Sequence, residues 1–149
     1  MVSTSAAEEP PRKEANILLI GDGAVGKTSI VQVYSGRGFS EAHMATLGLD
    51  YINQDVSPSS NPSDGYKLRV WDTAGQERFK SLTLTFYKQS QGMIVCFDLT
   101  RRTSFDAVSK WMANIGQNCE SGVPCILVGN KGDLEEERVV SKEEAESLS

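Results

Sequence analysis

One glycine-rich segment near the start of the chain carries the residue types that bind phosphate groups. It reads Gly21-Asp22-Gly23-Ala24-Val25-Gly26-Lys27-Thr28 and directly follows a short apolar run at residues 17–20. Glycines allow the backbone to wrap closely, so that successive N–H groups point at phosphate oxygens. Lys27 would neutralise the outer phosphates, the Thr28 hydroxyl would bind magnesium, and a helix beginning near Lys27 would add its positive dipole end. A glycine-rich turn with a solvated lysine is the alternative, and the motifs downstream argue against it.

A second motif, Asp72-Thr73-Ala74-Gly75-Gln76, follows an alternating strand pattern at residues 66–71. A carboxylate at the carboxyl end of a strand can hold a magnesium-bound water, and the Gly75 N–H can contact a terminal phosphate. Gln76 can then orient an attacking water. Taken alone, Asp72 would more often cap a helix or close a turn. The phosphate loop upstream favours the magnesium site.

A third motif, Asn130-Lys131-Gly132-Asp133, follows the apolar run at residues 125–128. A carboxylate accepts two parallel hydrogen bonds from the ring N–H and the amino group of guanine, and adenine offers no such donor pair. The motif therefore favours GTP over ATP as the nucleotide. The competing hypothesis of a P-loop kinase or ATPase is weakened for the same reason.

Composition limits the class of protein. The 149 residues are 39% hydrophobic and 23% charged, which is typical of one soluble globular domain. A net charge of -5 argues against nucleic acid as a partner. The three cysteines lack metal-ligand spacing, so free thiols in a reducing, cytoplasmic setting are expected.

The order of apolar patterns predicts the architecture. Short continuous runs at residues 17–20, 93–97 and 125–128 are typical of buried parallel strands. Helical spacing between the last two runs predicts an amphipathic crossover helix, capped by Thr103-x-x-Asp106 and with Trp111 in the core. Residues 50–56 and 66–71 predict an antiparallel hairpin. The fold class is therefore α/β, a doubly wound and mostly parallel sheet that binds ligands at the carboxyl ends of its strands.

With these motifs placed, the chain resembles the Ras-like small GTPases, and the Rab family in particular. The resemblance covers about residues 15–148 and is carried by Trp71-Asp72-Thr73-Ala74-Gly75-Gln76-Glu77-Arg78-Phe79, Phe97-Asp98-Leu99-Thr100 and Leu127-Val128-Gly129-Asn130-Lys131. It implies the P-loop NTPase fold of small GTPases. It also implies a GTP-binding switch with slow, activator-dependent hydrolysis, and a place in vesicle trafficking.

The resemblance also assigns residues that spacing alone does not. It implies that Thr46 binds magnesium in the first switch, that Phe39 stacks on guanine, and that Gly23 leaves room for an activating arginine. Without it, Thr46 is an ordinary loop threonine and Phe39 a core aromatic. The predicted catalytic residues are Gln76 and Lys27, and the predicted metal ligands are Thr28, Thr46 and Asp72. The predicted nucleotide-binding residues are Gly21, Asp22, Gly23, Ala24, Val25, Gly26, Lys27, Thr28, Ser29, Phe39, Thr46, Asp72, Gly75, Asn130, Lys131 and Asp133.

The two ends of the sequence carry separate signals. Residues 1–14 are polar and contain Pro10-Pro11, which predicts a flexible leader before a domain at residues 15–149. Ser141-x-x-Glu144 predicts the start of a helix, the fourth main helix of the domain, and the sequence stops inside it. The last strand and helix of the family, and its prenylated cysteines, are not in the sequence. We therefore expect the strand at residues 125–128 to form an open sheet edge, and membrane contact to be indirect.

The expected partners follow from the resemblance. They are guanine nucleotide, an exchange factor, an activating protein and effectors that contact the switch regions. The protein is expected to be a cytoplasmic monomer, peripheral to endomembranes through its partners. The alternative function is a non-catalytic, truncated form that binds partners without stable nucleotide binding.

Overall fold

The computed structural model describes residues 12–39, 49–57, 60, 64–73 and 80–148. In chain order the elements are β1 (Lys13–Gly21), α1 (Lys27–Tyr34), β2 (Leu49–Val56), β3 (Tyr66–Thr73), α2 (Lys80–Gln89), β4 (Gly92–Asp98), α3 (Arg102–Asp106), α4 (Val108–Asn118), β5 (Cys125–Asn130) and α5 (Lys142–Leu148). A short 3₁₀ turn, Glu135–Glu137, lies between β5 and α5. In the part of the chain described, no helix is long and apolar enough to cross a membrane.

The five strands form one sheet in the order β2-β3-β1-β4-β5. β1 pairs in parallel with both β3 and β4, and β4 pairs in parallel with β5. Among the strands of the described residues, only β2 runs antiparallel, because it forms the hairpin with β3. The predicted doubly wound, mostly parallel sheet with one antiparallel strand is confirmed.

Side chains alternate between the two faces of the sheet, and each face has its own apolar cluster. One cluster contains Leu18, Val95 and Phe97 and packs against α2 and α4. The other contains Leu19, Cys96 and Val70 and packs against Ile30 and Val31 of α1. Strands that are buried on both faces read as continuous apolar runs, which is why the sequence revealed β1 and β4 so clearly.

Two predicted boundaries are wrong. β1 begins at Lys13, so Lys13 and Glu14 belong to the sheet and not to a leader. Both residues pair with β3, and backbone pairing does not need apolar side chains. The Thr103 cap is also wrong, because α3 begins at Arg102 after Arg101 and has no side-chain cap.

The capping box of the last helix is confirmed. Ser141 Oγ accepts a hydrogen bond from the Glu144 backbone N–H at 3.2 Å. Glu144 Oε2 accepts one in return from the Ser141 backbone N–H at 3.1 Å. Each side chain therefore satisfies a backbone donor that the first turn of a helix leaves unpaired.

β5 lies at one edge of the sheet, and among the described residues it has a single neighbouring strand. Ile126 of β5 is 61% exposed, whereas Phe97 of the adjacent β4 is 1% exposed. The expectation of an open edge at this strand therefore holds for the described part of the chain.

These two positions on adjacent strands give a test of the core. Phe97→Ala should lower the free energy of unfolding by about 3–5 kcal/mol, because it removes a fully buried ring and leaves a cavity. Ile126→Ala is the matched control and should cost less than about 1 kcal/mol, because its side chain is mostly in solvent. Urea unfolding followed by circular dichroism measures both, and equal losses would contradict the burial described.

Candidate nucleotide site

The described residues of the three sequence motifs meet at one end of the sheet. β1 ends at Gly21 and α1 begins at Lys27, so residues 22–26 form the loop between them. Asp72 pairs with Leu19 near the end of β1, on one side of this loop. Gly21 pairs with Cys96 of β4 on the other side. The strands are parallel, so their carboxyl ends converge on the loop, as expected for a ligand site in a doubly wound sheet.

Lys27 lies at the centre of the site and is buried, with only 4% of its surface exposed. Its ammonium donates hydrogen bonds to the carbonyl oxygens of Gly21 at 2.9 Å and Asp22 at 2.8 Å. Burial lowers the pKa of Lys27, and the negative charges of Asp72 and Asp22 act in the opposite direction. The ammonium is therefore held among oxygen acceptors, at the place where a phosphate would add negative charge.

Asp72 lies beside the start of α1 and is 2% exposed. Its Oδ2 accepts a hydrogen bond from Thr28 Oγ1 at 2.6 Å. Its Oδ1 is buried and accepts no hydrogen bond from the residues that the structure describes. Burial raises the pKa of Asp72, and the Thr28 hydrogen bond and the Lys27 charge oppose that rise.

Whether the site suits a divalent cation depends on the oxygen atoms of Asp72 and Thr28. A buried carboxylate oxygen without a donor, next to a hydroxyl, is a fitting oxygen pair for Mg²⁺. Among the described residues no group of three or more His, Cys, Asp or Glu side chains could hold a metal ion. A Mg²⁺ ion here would need phosphate oxygens and waters to complete its coordination, which is how this ion usually binds.

Asn130 joins the third motif to the phosphate loop. Its Nδ2 donates a hydrogen bond to the Val25 carbonyl at 2.9 Å, across 105 residues of sequence. Gly26 has φ 97°, and a Cβ placed on it would lie 2.2 Å from Asn130 Nδ2. A side chain at position 26 would therefore strain the backbone and displace the residue that connects the two motifs.

Lys131 is oriented by a buried carboxylate. Its ammonium lies 2.6 Å from Asp98 Oδ2, and Asp98 is 2% exposed. Burial alone would raise the pKa of Asp98, but the hydrogen bonds from Lys131 and Thr100 outweigh it, so the pKa lies below its ordinary value. Asp98 therefore remains charged and fixes the start of the motif that follows β5.

The structure places the other predicted residues as follows. Asp133 is exposed in the turn that follows Lys131, and its contact with the base stays a prediction. Ser29 lies half-buried in the first turn of α1. Phe39 is 67% exposed, which excludes its interpretation as a core aromatic. Thr46, Gly75 and Gln76 lie outside the described residues, and their roles stay predictions.

Three contributors to the site were missed by sequence reasoning. Asp98 ends a buried strand, and a charge in that position was a signal that could have been used. Arg101, which directly precedes α3, and Trp111 of α4 contact the phosphate loop. Trp111 packs against the core as predicted, but its indole N–H also donates to Asp22 Oδ1. Neither residue lies in a recognisable motif, so sequence alone offered no signal for them.

Comparison with known proteins agrees with this geometry. The Ras family model matches residues 16–149. The chain belongs to the Ras family. Rab-13 of Bos taurus is 40% identical over 133 residues, which is 89% of this chain and 64% of that protein. Rab-10 of Caenorhabditis elegans is 37% identical, with 89% and 65% covered, and RabC of Dictyostelium discoideum is 41% identical, with 89% and 67% covered.

These relatives place the chain among the Rab-type members of the Ras family, as the motif at residues 71–79 indicated. This Ras-family chain spans 64% of the length of Rab-13. The match begins within β1 and includes every element of the candidate site.

Gly26→Ala tests the contact between the loop and Asn130. We expect a loss of about 2–3 kcal/mol in unfolding free energy, because the substitution adds backbone strain and a clash with Asn130. Gly122→Ala is the matched control, because Gly122 has φ 86° and nothing within 4 Å of an added Cβ. It should lose only about 1 kcal/mol, from backbone strain alone. Equal losses in thermal or urea unfolding would show that the Asn130 contact is unimportant.

Proposed function

We propose that this chain binds GTP and GDP with Mg²⁺ and hydrolyses GTP slowly, as a molecular switch. The observation that carries the proposal is the hydrogen bond between Asn130 and the Val25 carbonyl. This bond joins the motif at residues 130–133 to the phosphate loop. The buried Lys27 and Asp72 lie next to the same loop. A nucleotide with its phosphates on the loop and its base at Asp133 matches this arrangement.

The phosphate end of the site works through positive charge and N–H donors. The ammonium of Lys27 already lies among acceptors and would neutralise the outer phosphates, with the N–H groups at the start of α1 adding a positive dipole end. Thr28 and Asp72, joined by Thr46, would hold the Mg²⁺. The cation supplies charge neutralisation for the transferring phosphoryl group.

The hydrolytic step needs a positioned water. Gln76 would orient that water, and Gly75 would offer its N–H to the terminal phosphate, as the family resemblance implies. Thr46 and Gln76 belong to the two switch segments. GTP would order both segments, partner proteins would bind the ordered state, and hydrolysis would release it.

The resemblance to Rab proteins extends the proposal to a cellular role. We place the chain in vesicle trafficking, with an exchange factor, an activating protein and effectors that contact the switch segments. It would be cytoplasmic, at endomembranes through its partners. Phe39, exposed near the end of α1, would stack on the guanine.

A second candidate function is supported by the open edge at β5. β5 ends at Asn130, where the motif at residues 130–133 begins, and its Ile126 is 61% exposed at an open edge. A chain with such an edge strand would bind partners through its switch segments without holding nucleotide stably. Isothermal titration of the purified 149-residue chain with GDP and Mg²⁺ separates the two. Stoichiometric binding at about 1 µM or tighter would exclude this second candidate.

Guanine recognition can be tested at Asp133. The unsubstituted chain should bind GDP about 10–100-fold more tightly than IDP, because inosine lacks the amino group that a carboxylate would accept from. Asp133→Ala should bring this ratio close to one. Asp106→Ala, which removes an exposed aspartate from α3, is the matched control and should keep the preference. If Asp133→Ala retained it as well, base recognition would lie elsewhere.

Hydrolysis can be tested at Gln76. The chain with Mg²⁺ should hydrolyse bound GTP in single turnover at about 10⁻⁴ to 10⁻² per second. Gln76→Leu should slow this by at least about tenfold and leave GTP affinity within about twofold, because it removes the group that orients water. Gln117→Leu changes an exposed glutamine on α4 and should have no effect. An unchanged rate in Gln76→Leu would remove Gln76 from the mechanism.

A further inference from the structure

Two side chains from outside the motifs hold neighbouring residues of the phosphate loop. Trp111 Nε1 donates a hydrogen bond to Asp22 Oδ1 at 3.0 Å. Arg101 Nη2 donates one to the Gly23 carbonyl at 2.5 Å. These two contacts, which we call the loop latch, connect the segment after β4 to the loop after β1 across 89 and 78 residues of sequence.

The Trp111 half of the latch is anchored in the core. Trp111 packs against the apolar cluster that contains Phe97, and its helix α4 is fixed by Val108 and Ile115, which are 1% and 7% exposed. The indole has one polar atom, a donor. Since the ring is held by packing, its N–H supports Asp22 from a rigid position.

The Arg101 half is anchored through its backbone. The Arg101 N–H donates to the Asp98 carbonyl at 3.0 Å, and the Arg101 carbonyl accepts from the Ser104 N–H at 3.0 Å. Arg101 as a whole residue is half-buried, and its guanidinium reaches Gly23 from this hydrogen-bonded backbone. Burial is the main cause of the lowered pKa of Lys27, and the Arg101 charge adds to it, which is consistent with a guanidinium close to the phosphate site.

The consequence for the loop follows from peptide planarity. The Gly23 carbonyl and the Ala24 N–H belong to one planar peptide unit and point in opposite directions. When Arg101 holds the carbonyl on the side of α3, the Ala24 N–H must point to the other side. Ala24 has φ 62°, a left-handed conformation that turns successive N–H groups into one concave, anion-binding arrangement.

We propose that Arg101 and Trp111 are positioning residues that keep Asp22, Gly23 and Ala24 in the conformation that binds phosphate, and so slow nucleotide release. The proposal rests on the proposed function, because it assigns a role in holding GDP. The two residues act through the loop and need not touch the nucleotide. The segment from Arg101 to Trp111 would thereby set how long the nucleotide stays bound.

Release kinetics test the proposal directly. A fluorescent GDP is bound to the chain with Mg²⁺ and chased with excess unlabelled GDP. Arg101→Met and Trp111→Phe should each speed release by about 3–10-fold, because each removes one donor to the loop and keeps most of the side-chain volume. In an Asp22→Ala background, Trp111→Phe should have no further effect, since its acceptor is already gone.

The chain offers a matched control for each substitution. Arg102→Met removes the adjacent arginine, whose partners are Glu144 and Asp106 and not the loop. Trp71→Phe removes an indole N–H that donates to Asn16 Oδ1 at 3.2 Å. Both controls should change the release rate by less than about twofold. Release that is equally fast in the controls, or unchanged in all variants, would overturn the latch.

Hydrogen exchange separates failure of the latch from failure of the proposed function. In the nucleotide-free chain, Arg101→Met and Trp111→Phe should speed amide exchange at residues 22–26 and leave β4 unchanged. If the unsubstituted chain bound no nucleotide, the proposed function would fail, and the exchange data would still decide whether the latch orders the loop. Unchanged exchange at residues 22–26 in both variants would overturn the proposal.

Discussion

The ammonium of Lys27 is buried in the protein, and the surrounding structure depends on how that charge is accommodated. An isolated ammonium is costly to remove from water, so it must be surrounded by acceptors or by opposite charge. Here the carbonyls of Gly21 and Asp22 accept its hydrogen bonds, and Asp72 supplies a negative charge nearby. These groups come from two different strands, so the charge can be held only when the strands are in register.

The same constraint explains why the site lies at one end of the sheet. The parallel strands β1, β3, β4 and β5 all end there. Polar residues lie at these strand ends, beyond the apolar residues that pack in the core. β3 brings Asp72, β4 brings Asp98, and Asn130 closes β5. Asp98 and Asn130 are register partners across neighbouring strands. A single slip of one residue would turn these groups to the opposite face.

Much of this could be predicted from the sequence, because the signals are local. Residues 21–28 follow an apolar run and lead into a helix, and that context is sufficient to predict a phosphate site. The parallel strands were visible as continuous apolar runs, and the hairpin as an alternating one. Errors occurred where backbone pairing mattered more than side-chain pattern, as at Lys13 and Glu14 in β1, and at the start of α3.

The sequence by itself determined which residue types the candidate site contains, since Lys27, Thr28, Asp72 and Asn130 belong to short motifs that can be recognised without the structure. The tertiary structure alone decided what supports them. Asp98 fixes Lys131, Asn130 reaches Val25, and Arg101 and Trp111 hold the loop from 78 and 89 residues away. Such contacts join residues that are distant in the chain, and their geometry exists only after the sheet and helices have packed. No local pattern encodes them, because each depends on the relative position of two elements and not on the composition of either.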